Sequence, residues 1–349
     1  MNNKIFDVPF IRGISVTIPK EYINIRDLKF DGVNIDDVIK VTGIETIHRA
    51  PANKTVTDYC VDAAENLFKS LDFDKTQIDG IVFATDTPEY LTPGSGYIMH
   101  NRLDLSTKCI IVDINQACAG FVNGLFQAYL LVQSGYCKNV LLCVGTTPEK
   151  MYPKDKSTQV LMGNAGVATI ISASETPTES AFSFYNDGKS FKALYIPAGG
   201  SKIPIKHGVT DIEEIDKNGN IRTLENTHME GLEVMAFVIA AAPTAIKNLY
   251  KIMNWTKDDV KIFALHQANK AIITALIKRL HVPAEKVPLT LKNYGNNGIS
   301  STPLTLCLEN PNARGKWDKA ILCGFGNGLA CAAVALDLTH TYFCEVREL

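Results

Sequence analysis

Short, almost wholly apolar runs recur along the chain, each bounded by glycine or polar residues. Gly80-Ile81-Val82-Phe83-Ala84-Thr85, Cys109 to Ile114, Asn139 to Gly145 and Gly166 to Ile171 are such runs in the first half. Val260 to Leu265, Lys319 to Gly324 and Leu329 to Leu338 are their counterparts later. Runs of this length without polar alternation predict strands buried on both faces. Between them lie longer stretches with helical spacing: a helix after Pro93, Phe121 to Ser134, Met229 to Tyr250, Lys270 to Leu280 and Ser300 to Leu308.

Strands alternating with helices predict parallel-rich sheets covered on both faces. The plan is used twice, and Asn139-Val140-Leu141-Leu142-Cys143 is echoed by Lys319-Ala320-Ile321-Leu322-Cys323. We therefore expect two halves, residues 1–176 and 177–349, stacked around shared central helices that include the one after Cys118. The link from Ser174 to His228 is less regular. Its Lys217-Asn218-Gly219-Asn220 reads as the tight turn of a hairpin.

With 349 residues, 46% hydrophobic and 21% charged, the composition is ordinary for a large globular core. A net charge of -2 gives no general basic field for nucleic acid. The polar N-terminus lacks an apolar leader, and no apolar run is expected to reach the roughly 18 residues of a membrane span. Nine cysteines, mostly in apolar runs and without a CxxC pair, argue against a disulfide framework or a zinc site. A cytoplasmic protein is expected.

One cysteine stands apart. Cys118, in Asn115-Gln116-Ala117-Cys118-Ala119-Gly120-Phe121, falls where a strand ends and a helix starts. Unpaired N–H groups and the dipole at a helix start predict a lowered pKa and a nucleophilic thiolate. The bland reading is a small buried hydrophobe. Two other segments weigh against it. Ala264-Leu265-His266-Gln267-Ala268-Asn269 puts a histidine and two amides after a strand. Tyr294-Gly295-Asn296-Asn297-Gly298-Ile299-Ser300-Ser301 is a turn opening another helix. Cys, His and Asn from separate strand ends are the parts of an acyl-transfer site. Each also has a plain reading. His266 suits a core histidine, and Asn296 suits a left-handed turn position. Gly324 to Gly328 suits a tight turn, and since a strand follows it no dinucleotide-binding motif is expected there.

In their order along the chain, Val41-Thr42-Gly43-Ile44, Ala117 to Phe121, Met162-Gly163-Asn164-Ala165-Gly166, Met229-Glu230-Gly231, His266 to Asn269, Tyr294-Gly295-Asn296 and Gly324-Phe325-Gly326-Asn327-Gly328 resemble the thiolase-fold condensing enzymes, specifically the ketoacyl-ACP synthase III family. The resemblance implies a thiolase-like α/β fold, two duplicated halves stacked as a five-layer αβαβα sandwich. It implies an acyltransferase in which Cys118 takes the acyl group from a thioester. The backbone N–H groups of Cys118 and Asn327 would form the oxyanion hole. His266 and Asn296 would stabilise the enolate formed when a malonyl unit on an acyl carrier protein loses CO2, each donor worth about 3 kcal/mol. Ping-pong kinetics would follow. Asn269, Gly231, Thr92 and Phe325 would line the pantetheine and acyl pocket, and Lys278 and Arg279 would meet the carrier protein. No resident cofactor or metal is implied, since substrates arrive on phosphopantetheine or coenzyme A. A homodimer is implied, with each Thr92 reaching into the partner's pocket.

The chain also departs from the pattern. Asp37 and Val41 stand where a Trp and an Arg would hold the adenine of coenzyme A, and neither stacks on a base. Leu232 and Ala271 replace an Asn on pantetheine and a basic docking residue, and Asn164 replaces an Asp. A donor on carrier protein, in a specialised pathway, is therefore expected over free coenzyme A. Thr92 leaves room for a longer acyl chain, unless it only caps the helix after Pro93. Two other readings are a thiolase-fold acyltransferase with a non-malonyl acceptor and a catalytically silent partner subunit. A papain-like hydrolase would not show paired halves.

Overall fold

The computed structural model describes residues 5–30, 32–148, 154–216, 219–310 and 317–349. Two sheets lie face to face with helices between and outside them. Across the first sheet the strands run Tyr342–Phe343, Pro9–Ile18, Ala165–Ala173, Asn139–Thr146, Gly80–Thr85 and Ile110–Asn115, and Arg347–Glu348 also pairs with Pro9–Ile18. The second runs Ile5–Phe6, Ser180–Asn186, Ala330–Leu336, Ala320–Gly326 and Ile262–Leu265. Pairing from Pro9–Ile18 inward is antiparallel, antiparallel, then parallel. From Ser180–Asn186 inward the same sequence repeats. The sheets change over between Ala173 and Ser180, but the termini cross: Ile5–Phe6 joins the second sheet and the C-terminal strands join the first.

Helices Gly120–Gln133 and Ser301–Glu309 fill the space between the sheets and touch both. Val56–Leu71 and Ser95–Arg102 cover the outside of the first sheet. Gly231–Met253 covers the outside of the second, with Lys270–Leu280 packed beside it. Period 2 explains why the strands read as continuous apolar runs. Val82 and Ala84 face the central helices, whereas Ile81 and Phe83 face the outer ones. Likewise Ala320 and Leu322 point to the centre while Ile321, Cys323 and Phe325 point outward. The layers are therefore the expected αβαβα sandwich.

Several expectations need adjusting. Pro9–Ile18, Ser180–Asn186 and helix Val56–Leu71 were not foreseen. Ser180–Asn186 falls in the link read as irregular. The hairpin Glu214–Ile215 with Ile221–Arg222 forms as expected, although Lys217 and Asn218 of its turn lie outside the described residues. Among the described residues one helix, Gly231–Met253, is long and apolar enough to cross a membrane by length and composition, contrary to the sequence expectation. Here its Val238, Ala241, Ala242, Ala245, Ile246 and Leu249 pack on the second sheet.

Candidate active site

Strands Gly80–Thr85 and Ile110–Asn115 are parallel, with Thr85 level with Asn115, so both chains leave the sheet at the same end. Outside the carboxyl ends of parallel strands is where α/β sheets place ligands. Cys118 follows three residues after Asn115 and lies half-buried. Its turn is closed by the Gly120 N–H donating to the Ala117 carbonyl at 2.6 Å. A Cβ on Gly120 would sit 2.3 Å from Ile299 Cδ1, so the small residue lets the Asn296 segment close over the helix start. The glycine run ending the Ala320–Gly326 strand has the same purpose. A Cβ on Gly324 would lie 2.5 Å from the Cys118 carbonyl oxygen, and one on Gly326 would lie 3.1 Å from Cys118 Sγ. The run is more than a turn, because the nucleophile's loop rests on it.

The thiol does not have the lowered pKa expected of a helix start. Burial pushes it up to about 12, and the charge of Asp86 pushes the same way. Cys118 precedes the N-cap residue Ala119, and loss of solvation outweighs the N–H groups nearby. At rest it is a thiol.

His266 follows Ile262–Leu265 and is fully buried; burial takes its pKa down to about 4 and leaves the ring neutral. Nδ1 lies 3.2 Å from Ser301 Oγ, whose hydroxyl donates to the Gly298 carbonyl at 2.9 Å. The Phe325 ring packs edge-on against the imidazole at 5.3 Å. The Gly298 backbone also hydrogen-bonds the ring and opposes the fall in its pKa.

Asn296 is held from both sides. Its N–H donates to Leu161 C=O at 2.8 Å, and its C=O accepts from Gly163 N–H at 2.9 Å. Its Oδ1 accepts from the Gly298 N–H at 2.9 Å, which leaves the Nδ2 hydrogens free of partners among the described residues. The left-handed backbone positions here are Gly295 and Gly298, not Asn296. Its turn therefore does not require an asparagine, and the side chain is what the position supplies.

These parts form one continuous path of contacts. Cys118 rests on Gly326, next to Phe325, which packs on His266; His266 meets Ser301, which meets Gly298. Gly298 caps Asn296 and abuts Thr146, whose hydroxyl donates to Asp86 Oδ1 at 3.1 Å. Contacts through neighbouring residues thus link Cys118, His266 and Asn296.

The remaining candidates fall in varied places. Asn327 directly follows Gly326 and is half-buried. Asn269 uses Oδ1 to cap helix Lys270–Leu280, accepting from Ile272 N–H at 2.8 Å. Phe325 is 1% exposed and faces the outer core, so it walls His266 and does not line open space. Gly231 is exposed and opens its helix beside Leu232, which is 87% exposed. Thr92 is exposed and does not cap the next helix, because Gly94 is its N-cap residue. Lys278 and Arg279 are exposed in the last turn of their helix. Asp37 and Val41 lie exposed on helix Ile35–Thr42. Asn164 Oδ1 accepts from Ala50 N–H at 2.7 Å, a bond a carboxylate would accept equally.

Sequence reasoning missed Asp86, Thr146, Gly163 and Ser301. Gly163 lay inside a recognised motif, yet only the structure shows it buttressing Asn296. Among the described residues no group of three or more His, Cys, Asp or Glu converges to hold a metal ion.

Comparison with known proteins agrees with this geometry. The 3-oxoacyl-[acyl-carrier-protein] synthase III family matches residues 112–188, and its C-terminal counterpart matches 251–338. A putative 3-oxoacyl-[acyl-carrier-protein] synthase 3 of Campylobacter jejuni is 30% identical over 345 residues, covering 97% of this chain and 96% of its own. A beta-ketoacyl-[acyl-carrier-protein] synthase III of Fusobacterium nucleatum is 31% identical, covering 95% and 98%. Among solved structures, a 3-oxoacyl-(acyl-carrier protein) synthase from Burkholderia xenovorans LB400 superposes with a TM-score of 0.92 at 29% identity, covering 99% of this chain and 98% of that one. The chain belongs to the 3-oxoacyl-ACP synthase III family, acyltransferases of the thiolase fold.

Proposed function

We propose that the chain catalyses a decarboxylative Claisen condensation, joining an acyl group held on Cys118 to a malonyl unit on acyl carrier protein. The observation that carries this reading is the continuous path of contacts that links a free thiol, a neutral imidazole and an amide whose Nδ2 has no partner among the described residues. Cys118 attacks the donor thioester and forms acyl-Cys118. The N–H groups of Cys118 and Asn327 hold the oxyanion. The malonyl thioester then loses CO2, and the Asn296 Nδ2 and His266 Nε2 positions stabilise the enolate oxygen, the latter as an N–H donor when Ser301 turns its hydroxyl from the Gly298 carbonyl to Nδ1, in a site dry enough for each donor to be worth about 3 kcal/mol. The enolate attacks acyl-Cys118 and releases a β-ketoacyl thioester, so the kinetics are ping-pong.

The donor is acyl-ACP in preference to acyl-CoA. Supporting this, exposed Asp37 and Val41 offer no stacking surface for adenine. A recess of about 380 Å³ beside the Asn269 helix is lined by Lys40, Lys270 and Lys292, the last paired with Glu45 at 3.6 Å, which leaves a net positive rim for an acidic carrier protein. The chain works as a homodimer. Strand Ile110–Asn115 is an open sheet edge, and Tyr90, Leu91 and Tyr97 are exposed in the segment between it and its neighbour strand.

The test is intact-mass measurement after exposure to acyl-CoA and acyl-ACP of several chain lengths. A gain of one acyl group, faster from acyl-ACP and absent in Cys118→Ala, is expected. No gain from any donor would sink the reading, and equal rates from both carriers would sink the donor preference.

A further inference from the structure

The roles above leave the raised Cys118 thiol without a group that takes its proton. His266 and Asn296 serve the second half-reaction, and the oxyanion hole carries no base. Among the described residues, Asp86 is the ionisable group whose charge is felt at Cys118. Asp86 directly follows strand Gly80–Thr85, which is hydrogen-bonded on one side to Ile110–Asn115 and on the other to Asn139–Thr146. The three strands end side by side, about 5 Å apart. Gln116 N–H donates to the Thr85 carbonyl at 3.3 Å, tying the start of the Cys118 loop to the residue before Asp86. On the other flank Thr146 Oγ1 donates to Asp86 Oδ1 at 3.1 Å, and Thr85 Oγ1 is fixed on the Gly145 carbonyl at 2.9 Å. Asp86 occupies in the first half the place that His266 occupies in the second, one residue beyond the corresponding strand. Asp86 reaches solvent while protein packs densely around it, so its carboxyl is both accessible and partly desolvated.

We propose that Asp86 is the proton carrier of Cys118, taking the thiol proton as the acyl group arrives and exchanging it with the leaving thiol and with solvent. This rests on the acyl-transfer reading of the site. In the first half-reaction the Sγ–C bond forms as the donor's C–S bond breaks. The thiol proton passes to the Asp86 carboxylate and then to the departing thiolate. In the second, CO2 leaves the malonyl unit, the enolate carbon bonds to the acyl carbon, and Cys118 departs as thiolate. The overall condensation consumes one proton, which Asp86 takes from water and delivers to that thiolate. Burial raises its carboxyl and the Thr146 bond opposes the rise, so it can both accept and return a proton.

Two reactions of the same sulfur separate this role from a purely electrostatic one. Alkylation by iodoacetamide needs only thiolate. Acylation by a thioester also needs somewhere for the proton to go. In Asp86→Asn the negative charge beside Cys118 is gone, so alkylation is expected to quicken at neutral pH. Acylation by acyl-ACP, followed by intact mass, is expected to slow about 100-fold. Asp86→Glu, which keeps a carboxyl, is expected to recover acylation to within about tenfold of wild type. Thr146→Val keeps the carboxyl without its donor and is expected to slow acylation more at neutral than at alkaline pH. The number of cysteines alkylated reports whether each variant is folded. Acylation by Asp86→Asn as fast as or faster than wild type, or slowing of both reactions together in a folded protein, overturns the proposal. Wild-type protein that takes no acyl group from any donor would overturn the acyl-transfer reading instead.

Discussion

Gly163→Ala tests whether the first half of the chain holds the Asn296 amide in place. Met162 and Asn296 form an isolated parallel bridge, in which the next residue, Gly163, donates its N–H to the Asn296 carbonyl. An added Cβ would stand 2.4 Å from the Tyr294 carbonyl oxygen and 2.9 Å from Asn297 Oδ1. Real Cβ contacts do not fall below 3.0 Å, so the Tyr294–Asn297 turn must retreat by about 0.6 Å. Both offending atoms belong to the turn carrying Asn296, and Asn297 is itself fixed by Nδ2 donating to the Tyr294 carbonyl at 2.9 Å. The cheapest relief therefore displaces the Asn296 amide. Overpacking of this kind costs about 1–3 kcal/mol, readable by urea denaturation. A misplacement approaching 1 Å costs on the order of 100-fold in rate. The loss should appear in malonyl-ACP decarboxylation by the acylated enzyme. Acylation of Cys118, which does not use Asn296, should stay within a few-fold of wild type. Decarboxylation within threefold of wild type in a folded variant would refute the claim that Gly163 positions Asn296.

Three further outcomes follow from the same contacts. His266 has a free-state pKa of 6.5 and about 4 when folded, so the unfolded chain binds the proton first; its contribution to stability is present above pH 6.5 and is lost as pH falls toward 4. The unfolding free energy of wild type relative to His266→Asn should accordingly drop by about 3 kcal/mol across that window, and a pH-independent difference would contradict the burial argument. Gly326→Ala places a methyl 3.1 Å from Cys118 Sγ and 2.9 Å from its Cβ, so acylation and iodoacetamide labelling of Cys118 should both slow, with about 1–3 kcal/mol lost in urea denaturation. Arg222→Met strands the buried Asp155 carboxylate, now bonded by Arg222 Nε at 2.7 Å, and should destabilise by about 3–5 kcal/mol in the same assay.

Much of the fold could be read from the chain because strands buried on both faces leave unbroken apolar runs. Gly80–Thr85 and Lys270–Leu280 fall where the pattern put them. Pro9–Ile18 escaped notice because Arg12 and Gly13 interrupt it at a bulge, where the guanidinium lies over Phe10 and Phe73 and bonds Ser172. Ser180–Asn186 puts Phe182 and Phe184 on the central helix face, with Ala181, Ser183 and Tyr185 at the alternate positions, a pattern hidden in a long polar link. The capping box of Thr55 and Asp58 was a usable helix signal that passed unused. At the site, Cys118, His266 and Asn296 were legible from local motifs. The state of the thiol was not, because it depends on burial between two sheets and on Asp86, thirty-two residues away in sequence. Asp86 itself sits in Thr85-Asp86-Thr87-Pro88-Glu89, which reads as an ordinary polar turn.

The most direct measurement is a single turnover. Acyl-Cys118 enzyme, freed of donor, is mixed with malonyl-ACP carrying a labelled free carboxyl, and CO2, protein mass and product are followed together. Condensation predicts one CO2 per acyl group lost from Cys118 and one β-ketoacyl-ACP formed, with both rates falling in His266→Asn and Asn296→Ala. Loss of the acyl group as free acid, or its transfer to another acceptor without CO2 release, would contradict the account.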